Sequence, residues 1–379
     1  MYLLEHDAKE LLATRGVPVP PGVLSDPARQ LPELPAGPWI VKAQVPAGGR
    51  GKAGGIRKAA SEAEILGAIA AMSGMTIAGR PAREFRIEQQ VCGAEEAYFS
   101  LLLDAQHAAV RVIVAPRGGV DVETNDAARL RSAPCAPDAA SIRACTAELA
   151  HDLQTPIKNA LLAAASGLGE AFCAWECLLL EVNPLFVLAD GRWLAGDAKM
   201  ITDDNALPRQ PALAALLERR AGAYPEAHLK LNYGCDYVVV DPEGEIGLLT
   251  TGAGLSMMLI DELREAGLRP YNFLDVRTGG LRGDPSRLIH VLNWIAEGPC
   301  VKVVLVNIFA GITDLGEFAQ LLLAALRSAP RLRAPVVARL VGNGVESART
   351  VLAEAGIAVV TDLERALAQV RQNLQGATA

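Results

Sequence analysis

The stretch W-I-V-K-A-Q-V-P-A-G-G-R-G-K-A-G-G, Trp39 to Gly55, runs an apolar strand into a lysine and then into a glycine-rich loop with further positive charge. Gly48, Gly49, Gly51, Gly54 and Gly55 let the backbone approach an anion closely, and exposed N–H groups in such a loop form an anion nest. Lys42, Arg50 and Lys52 supply cations, and a lysine at a strand end acts on phosphate as a point charge. This chemistry suits a nucleotide polyphosphate. Further along, L-L-L-E-V-N-P-L-F-V, Leu178 to Val187, is followed by G-D-A-K, Gly196 to Lys199. Side chains alternate along a strand, so Glu181 and Asn183 share a face. Two polar groups on one face of an apolar strand are costly to bury unless they bind something. With Asp197 on the adjacent strand they offer hard oxygen ligands of the kind Mg²⁺ takes while it bridges phosphates. The two stretches together imply a Mg-nucleotide held between two parts of one domain.

The chain has 379 residues, enough for two or three domains, and 51% are hydrophobic, so a large core can be buried. The net charge of −7 gives no electrostatic case for nucleic acid or an anionic membrane. The start, M-Y-L-L-E-H-D-A-K, lacks the apolar core of a signal peptide, and no apolar run reaches the ~18 residues of a membrane span. The seven cysteines include no C-x-x-C pair, and their odd number agrees with reduced, mostly buried thiols and a cytoplasmic location.

Leu3, Leu4, Ala8, Leu11 and Leu12 recur at helical spacing over 3–15, and the Pro-rich run from Pro18 stops that helix. A strand is expected at 39–44, a helix at 61–72 with Ser61 and Glu64 as a capping box, and strands at 84–91, 97–104 and 109–115. The stretch 121–140 reads as loop with short helix, and 141–177 as helical. Strands follow at 178–182 and 192–196, and a helix at 211–221. Beyond 240, strand and helix alternate: strand 245–251, helix 254–266, strand 301–307, helix 314–327, strand 335–340, helix 345–355, strand 357–360 and helix 362–373. Such alternation implies a parallel sheet with helices on both faces and ligand loops at the strands' carboxyl ends. Thr251-Gly252-Ala253-Gly254 and Ala310-Gly311-Ile312-Thr313 lie at those ends. Each opens a helix whose free N–H groups suit a phosphoryl group or carboxylate.

The ordered motifs L-L-E-H-D-A-K-E-L-L, the two stretches above, T-G-A-G-L-S-M, Y-N-F-L-D-V, V-L-V-N-I-F-A-G-I and A-R-L-V-G-N-G cover nearly the whole chain. On them the chain resembles the β subunits of the succinyl-CoA synthetase family, which includes the malate–CoA ligase (malate thiokinase) β subunit. The resemblance implies an ATP-grasp nucleotide-binding domain, residues 1–237, followed by a flavodoxin-like parallel α/β CoA-ligase domain, residues 238–379. It places Lys42, Gly49, Arg50, Gly51, Glu88, Val91 and Glu96 at nucleotide-binding positions and makes Asn183 and Asp197 the Mg²⁺ ligands. Glu181 becomes the catalytic carboxylate that meets a phosphohistidine. Thr251, Gly311, Ile312 and Thr313 fall where substrate and the phosphohistidine loop meet. None of this chain's histidines (His6, His107, His151, His228, His290) stands in a catalytic context, which fits a phosphorylated histidine on a partner.

The implied reaction joins ATP, a small carboxylic acid and CoA into acyl-CoA, ADP and phosphate. The implied partner is a CoA-binding α subunit carrying the histidine, in an αβ or α2β2 assembly. Pro20 matches ATP-using relatives. The nucleotide half matches the family closely and the substrate half departs from it. Thr251 stands where members carry Asn, and Arg277 and Thr278 replace two glycines. The segment Thr313-Asp314-Leu315-Gly316-Glu317 lacks the usual arginine. Arg277 is placed to restore the lost positive charge and grip a carboxylate with two hydrogen bonds. A stand-alone ATP-grasp ligase and a non-catalytic nucleotide-binding subunit are the rival readings.

Overall fold

The apolar spacing at the start of the chain does form a helix, α1 (Glu5–Ala13), which buries Ala8, Leu11 and Leu12 but also Glu5, His6, Asp7 and Lys9. The computed structural model describes residues 1–27, 30–119, 130–277, 281, 283–311, 313–329 and 331–376, and these form two compact units, Met1–Gln210 and Pro211–Ala379.

In the first unit, strands β1 (Gly22–Ser25), β2 (Trp39–Ala43) and β3 (Ile56–Ala59) precede helix α2 (Glu62–Met72). The short pair β4 (Thr76–Ile77) and β5 (Arg80–Pro81) leads into β6 (Phe85–Gln89). The sheet runs β1-β6-β2-β3, antiparallel throughout. Alternation along β2 and β6 turns Val41, Phe85 and Ile87 toward Ile65, Ile69 and Met72 of α2, and these form one apolar cluster. Ser61 caps α2 by accepting from Glu64 N, and Glu64 Oε2 accepts from Ala60 N.

A second sheet follows, built from β7 (Glu95–Asp104), β8 (Ala109–Ala115), β9 (Arg131–Cys135), β10 (Cys177–Val187), β11 (Trp193–Ala195) and β12 (Lys199–Thr202). Its order is β11-β10-β7-β8-β9, with β12 also pairing β10. Helices α3 (Ala139–Leu149) and α4 (Thr155–Ala174) pack on it. The helix expected over 141–177 is two helices. Pro156, in the first turn of α4, cannot donate into a preceding turn, so the chain breaks at 150–154 and restarts. β9 and β12 were not foreseen: β9 sits in a stretch read as loop, and the four-residue β12 is held by its pairing to β10.

The second unit opens with helices α5 (Pro211–Arg219) and α6 (Pro225–Tyr233) and strand β13 (Asp236–Val239). Then come β14 (Ile246–Thr250), α7 (Ala253–Glu265), β15 (Asn272–Asp275), α8 (Ser286–Ile295), β16 (Val303–Ala310), α9 (Leu315–Ser328), β17 (Val336–Gly342), α10 (Val345–Ala353), β18 (Val359–Val360) and α11 (Leu363–Gly376). β14, β16, β17 and β18 form a parallel sheet in that order. β15 lies along the outer side of β14. Tyr271 N donates to Ile246 O at 2.8 Å and Val276 N to Thr250 O at 3.0 Å. Between them the Asn272 side chain bonds both Leu248 N and Leu248 O at 2.9 Å, replacing a backbone ladder rung. The spatial order is therefore second-first-third-fourth-fifth, the flavodoxin order. α7 and α11 cover one face and α8, α9 and α10 the other.

The cysteines are all unoxidised, with Cys177 and Cys235 buried and Cys92 exposed. Burial pushes the Cys135 and Cys235 thiols up to about 11, where little thiolate exists to react. Among the described residues no helix is long and apolar enough to cross a membrane.

Candidate functional site

Gly196 stands at the centre of the first unit's charged cluster. Its N–H donates to Pro184 O at 2.9 Å, beside Asn183. A Cβ here would lie 2.4 Å from the Phe186 ring and 2.7 Å from Pro184 O, so only glycine fits. Its carbonyl accepts from Lys42 Nζ at 2.7 Å and from Lys9 Nζ at 2.8 Å. Lys42 also donates to Glu5 Oε1 at 2.7 Å and Glu88 Oε1 at 2.9 Å. Lys9 makes the parallel set, to Glu5 Oε1 at 2.9 Å and Glu88 Oε2 at 2.6 Å. An ammonium has three N–H bonds: Lys42 spends all three, and Lys9 spends two and pairs with Glu5 by charge. Arg86 extends the network, donating to Glu88 Oε2 at 2.7 Å and meeting His6 Nδ1 at 2.9 Å.

These ions are buried, and their charges survive because they are paired. Burial alone would lift the Glu5 carboxyl, but Lys42, Lys9 and Arg50 hold it well below its ordinary range. Glu88 is likewise lowered against burial by Lys42 and Lys9. Burial would lower the Lys42 ammonium, and Glu5 and Glu88 outweigh it and raise the group. For the deeper Lys9 burial prevails and the group is lowered.

Gly49 and Gly51 lie exposed in the loop after β2, and Gly49 adopts φ 75°, a left-handed conformation natural to glycine. Between them Arg50 turns its side chain inward, where it is buried. Its Nη2 reaches both oxygens of Asp197 at 2.7 Å, and its Nη1 lies 2.8 Å from Glu5 Oε2. The expected phosphate contact and the expected metal ligand thus hold one another.

On β10, Leu180 and Val182 are buried and Glu181 and Asn183 are half-buried, the shared face that alternation predicts. Asn183 Oδ1 accepts from Gly119 N at 2.7 Å, and its Nδ2 donates to Gly119 O at 3.1 Å. Glu181 lies opposite Ser100 of β7 and Lys199 of β12. Its Oε2 accepts from Tyr98 OH at 3.1 Å. Lys199 Nζ stands 5.8 Å from the ring centre of Tyr2. Burial pushes the Tyr2 hydroxyl up to about 12, with Arg50, Asp197 and Glu181 all close enough to act on it.

Glu88 is 2% exposed, so its carboxylate serves the two lysines. Val91 is half-buried and Glu96 exposed. Glu96 lines a cavity of about 520 Å³ with Glu95, Arg117, Gly118, Asp152 and Gln154.

In the second unit, Gly252 enters α7 with φ 83° and donates its N–H to Asp275 Oδ1 at 2.9 Å. Arg277 N reaches the same oxygen at 3.2 Å. Asp275 therefore ties together the loops of Thr251 and Arg277. The Arg277 guanidinium donates to Asp236 Oδ2 at 2.7 Å, and Lys230 holds the other oxygen at 2.8 Å. Gly311 is exposed and Thr313 half-buried, whereas Ile312 and Thr278 lie outside the described residues. Asp314 caps α9, accepting from Gly316 N at 2.8 Å and Glu317 N at 3.1 Å. The free N–H groups expected there are partly taken by the chain's own carboxylate.

Sequence reasoning missed Glu5, Lys9, Arg86 and Tyr98. Glu5 and Lys9 stand four apart on α1, a spacing that ordinarily marks a solvated ion pair, and only the fold shows them buried.

The two antiparallel sheets around this cluster, followed by a flavodoxin-ordered unit, define an ATP-grasp domain joined to a CoA-ligase domain. The ATP-grasp domain family matches residues 2–187 and the CoA-ligase family residues 249–372. The chain is 38% identical to the succinate–CoA ligase [ADP-forming] subunit beta of Chloroflexus aurantiacus, over 99% of this chain and 100% of that protein. It is 33% identical to a probable malate–CoA ligase subunit beta of Mesorhizobium japonicum, over 95% of this chain and 94% of that one. The fold also matches ATP citrate lyase from Methanothrix soehngenii, with a TM-score of 0.67 and 17% identity, covering 94% of this chain and 95% of that chain. The chain belongs to the succinate–CoA ligase β-subunit family, whose members are acid–thiol ligases.

Proposed function

We propose that this chain is the nucleotide-binding β subunit of an ADP-forming ligase that joins a small carboxylic acid to CoA. In this reading a CoA-binding α subunit carries a histidine that receives the γ-phosphoryl group of ATP. The phosphoryl group then passes to the acid, and the CoA thiol displaces phosphate from the acyl phosphate. The observation that carries the reading is the buried set of Lys42 and Arg50 facing Asp197, with Glu181 and Asn183 on the adjoining sheet face.

In this reading Arg50 and Lys42 bind the phosphates, Lys42 exchanging one of its present acceptors, Gly196 O, Glu5 or Glu88, for a phosphate oxygen while the remaining carboxylate keeps it oriented. The exposed backbone of Gly49 and Gly51 closes over the polyphosphate. Val91 and Glu96 flank the base and ribose end, where Glu96 opens on the cavity described above. Asn183 and Asp197 offer two hard oxygen donors. That set fits Mg²⁺, which keeps water and phosphate oxygens as its other ligands. When bound, the ion neutralises charge on the β- and γ-phosphates. Glu181 accepts from the incoming phosphohistidine ring, orienting it and favouring its charged form. Thr251, Gly311, Ile312 and Thr313 meet the acid and the phosphohistidine loop, with Arg277 the cation for the acid. Most of the rate enhancement is positioning and charge stabilisation.

The test is phosphoprotein formation from γ-labelled ATP and Mg²⁺, using this chain co-expressed with its α partner. CoA and a panel of succinate, malate and related acids are then added. Acid-labile label on the partner's histidine, discharged by CoA and one acid, is the expected result. Tight nucleotide binding with no label on the partner would sink the reading.

A further inference from the structure

Strands β7 and β10 lose register between Val182 and Leu185. Val182 faces Phe99 and Leu185 faces Ala97, so Asn183 and Pro184 together oppose the single residue Tyr98. Two residues against one is a β-bulge, a device that re-aims side chains and recurs beside active sites. Tyr98 is 6% exposed, and its hydroxyl reaches along the sheet to Glu181 Oε2 at 3.1 Å. It therefore sits across from the proposed metal ligand and holds the proposed phosphohistidine partner. We propose that Tyr98 is a positioning residue for phosphoryl transfer, fixing the Glu181 carboxylate so that it can receive the partner's imidazole N–H. The inference rests on the role proposed above for Glu181.

The geometry supports this role over a merely structural one. Glu181 is faced by Ser100 and Tyr98 on β7, by Lys199 on β12 and by Tyr2 at the start of the chain. Lys199 lies over the Tyr2 ring, and a lysine on a flexible stem fixes no direction for a carboxylate. A phenol on a rigid ring does, since it has two side-chain torsions and one donor. Tyr98 is anchored by its ring against Ala115, Ile113 and Leu130, so removing the hydroxyl leaves that packing in place.

The test compares Tyr98→Phe, Glu181→Gln and the double variant in complex with the α partner. The measured quantities are the single-turnover rate of phosphohistidine formation, the KM for ATP and the thermal midpoint. Losing one hydrogen bond to a charged group should slow transfer by roughly tenfold. KM and the midpoint should stay at parental values. The double variant should be no slower than Glu181→Gln alone, because the proposed role of the hydroxyl runs through that carboxylate. An unchanged rate in Tyr98→Phe overturns the inference, as does a double variant slowed by the product of the single effects. A fall in midpoint and a rise in KM along with the rate would show a structural role and overturn it too. If Glu181→Gln transfers at the parental rate, the role of Glu181 itself fails, and the inference falls with it.

Discussion

Arg50 and Asp197 are locked together, with both carboxylate oxygens 2.7 Å from one guanidinium nitrogen. On the proposed reading, phosphate takes Arg50 and Mg²⁺ takes Asp197, so each arrival frees the partner for the other. Asp197→Asn should therefore bind nucleotide more tightly than the parent when Mg²⁺ is absent, by roughly tenfold for one released charged hydrogen bond. With Mg²⁺ present the advantage should reverse. Calorimetric titration with and without the ion gives the two affinities. Weaker binding by the variant under both conditions would show that the clasp does not oppose phosphate.

Glu5 touches Lys42, Lys9 and Arg50 at once. Breaking a buried ion network by removing one charge costs roughly 3 kcal/mol, because the remaining charges stay buried and unbalanced. Glu5→Gln should lose stability on that scale in urea unfolding. Saturating ATP should recover more stability in the variant than in the parent, since a bound phosphate replaces the missing anion. An unfolding midpoint equal to the parent's would show that Glu5 carries little of the network.

The same carboxyls set a pH dependence. Glu5 and Glu88 titrate below their ordinary value of 4.5 when folded, held down against burial by Lys42 and Lys9. A depressed folded pKa gives stability that is present above the unfolded value and lost as pH falls through the folded one. Unfolding free energy should therefore drop as pH is lowered from 4.5, and the drop should be shallower in Glu5→Gln. Parallel curves for the two proteins would exclude Glu5 as a source.

Arg277 spends one guanidinium nitrogen on Asp236 and remains more than half exposed. Arg277→Ala should raise the apparent KM for the acid by about tenfold, as expected for a charged hydrogen bond to a carboxylate. Nucleotide affinity should stay at its parental value. Steady-state kinetics with the acid varied at saturating ATP and CoA is the check, and an unchanged KM would remove Arg277 from the acid site.

Two physical facts explain how much could be read without coordinates. Period-two and helical spacing are local, so β2, α2, β8, β14, α7, α9 and α11 were placed within a few residues, whereas β10, expected at 178–182, continues to Val187. Elements whose order comes from their neighbours were not. β9 contains a proline and polar residues and is a strand because β8 pairs with it. β12 exists through β10, and β15 through Leu248 and the Asn272 side chain. Glycine spacing marked the anion loop, and alternation put Glu181 and Asn183 on one face.

The sequence by itself determined the family, the two-part architecture, and the candidates Lys42, Arg50, Glu181, Asn183 and Asp197, because residue type and short spacing carry those signals. Only the tertiary structure decided how they are held. It brought Glu5 and Lys9 under the β2–β6 sheet, saturated Lys42, and closed Arg50 on Asp197. It also set Tyr98 behind Glu181 across a bulge. Each of these depends on pairing between residues far apart in the chain, where burial and charge compensation, which no local pattern encodes, select the partners.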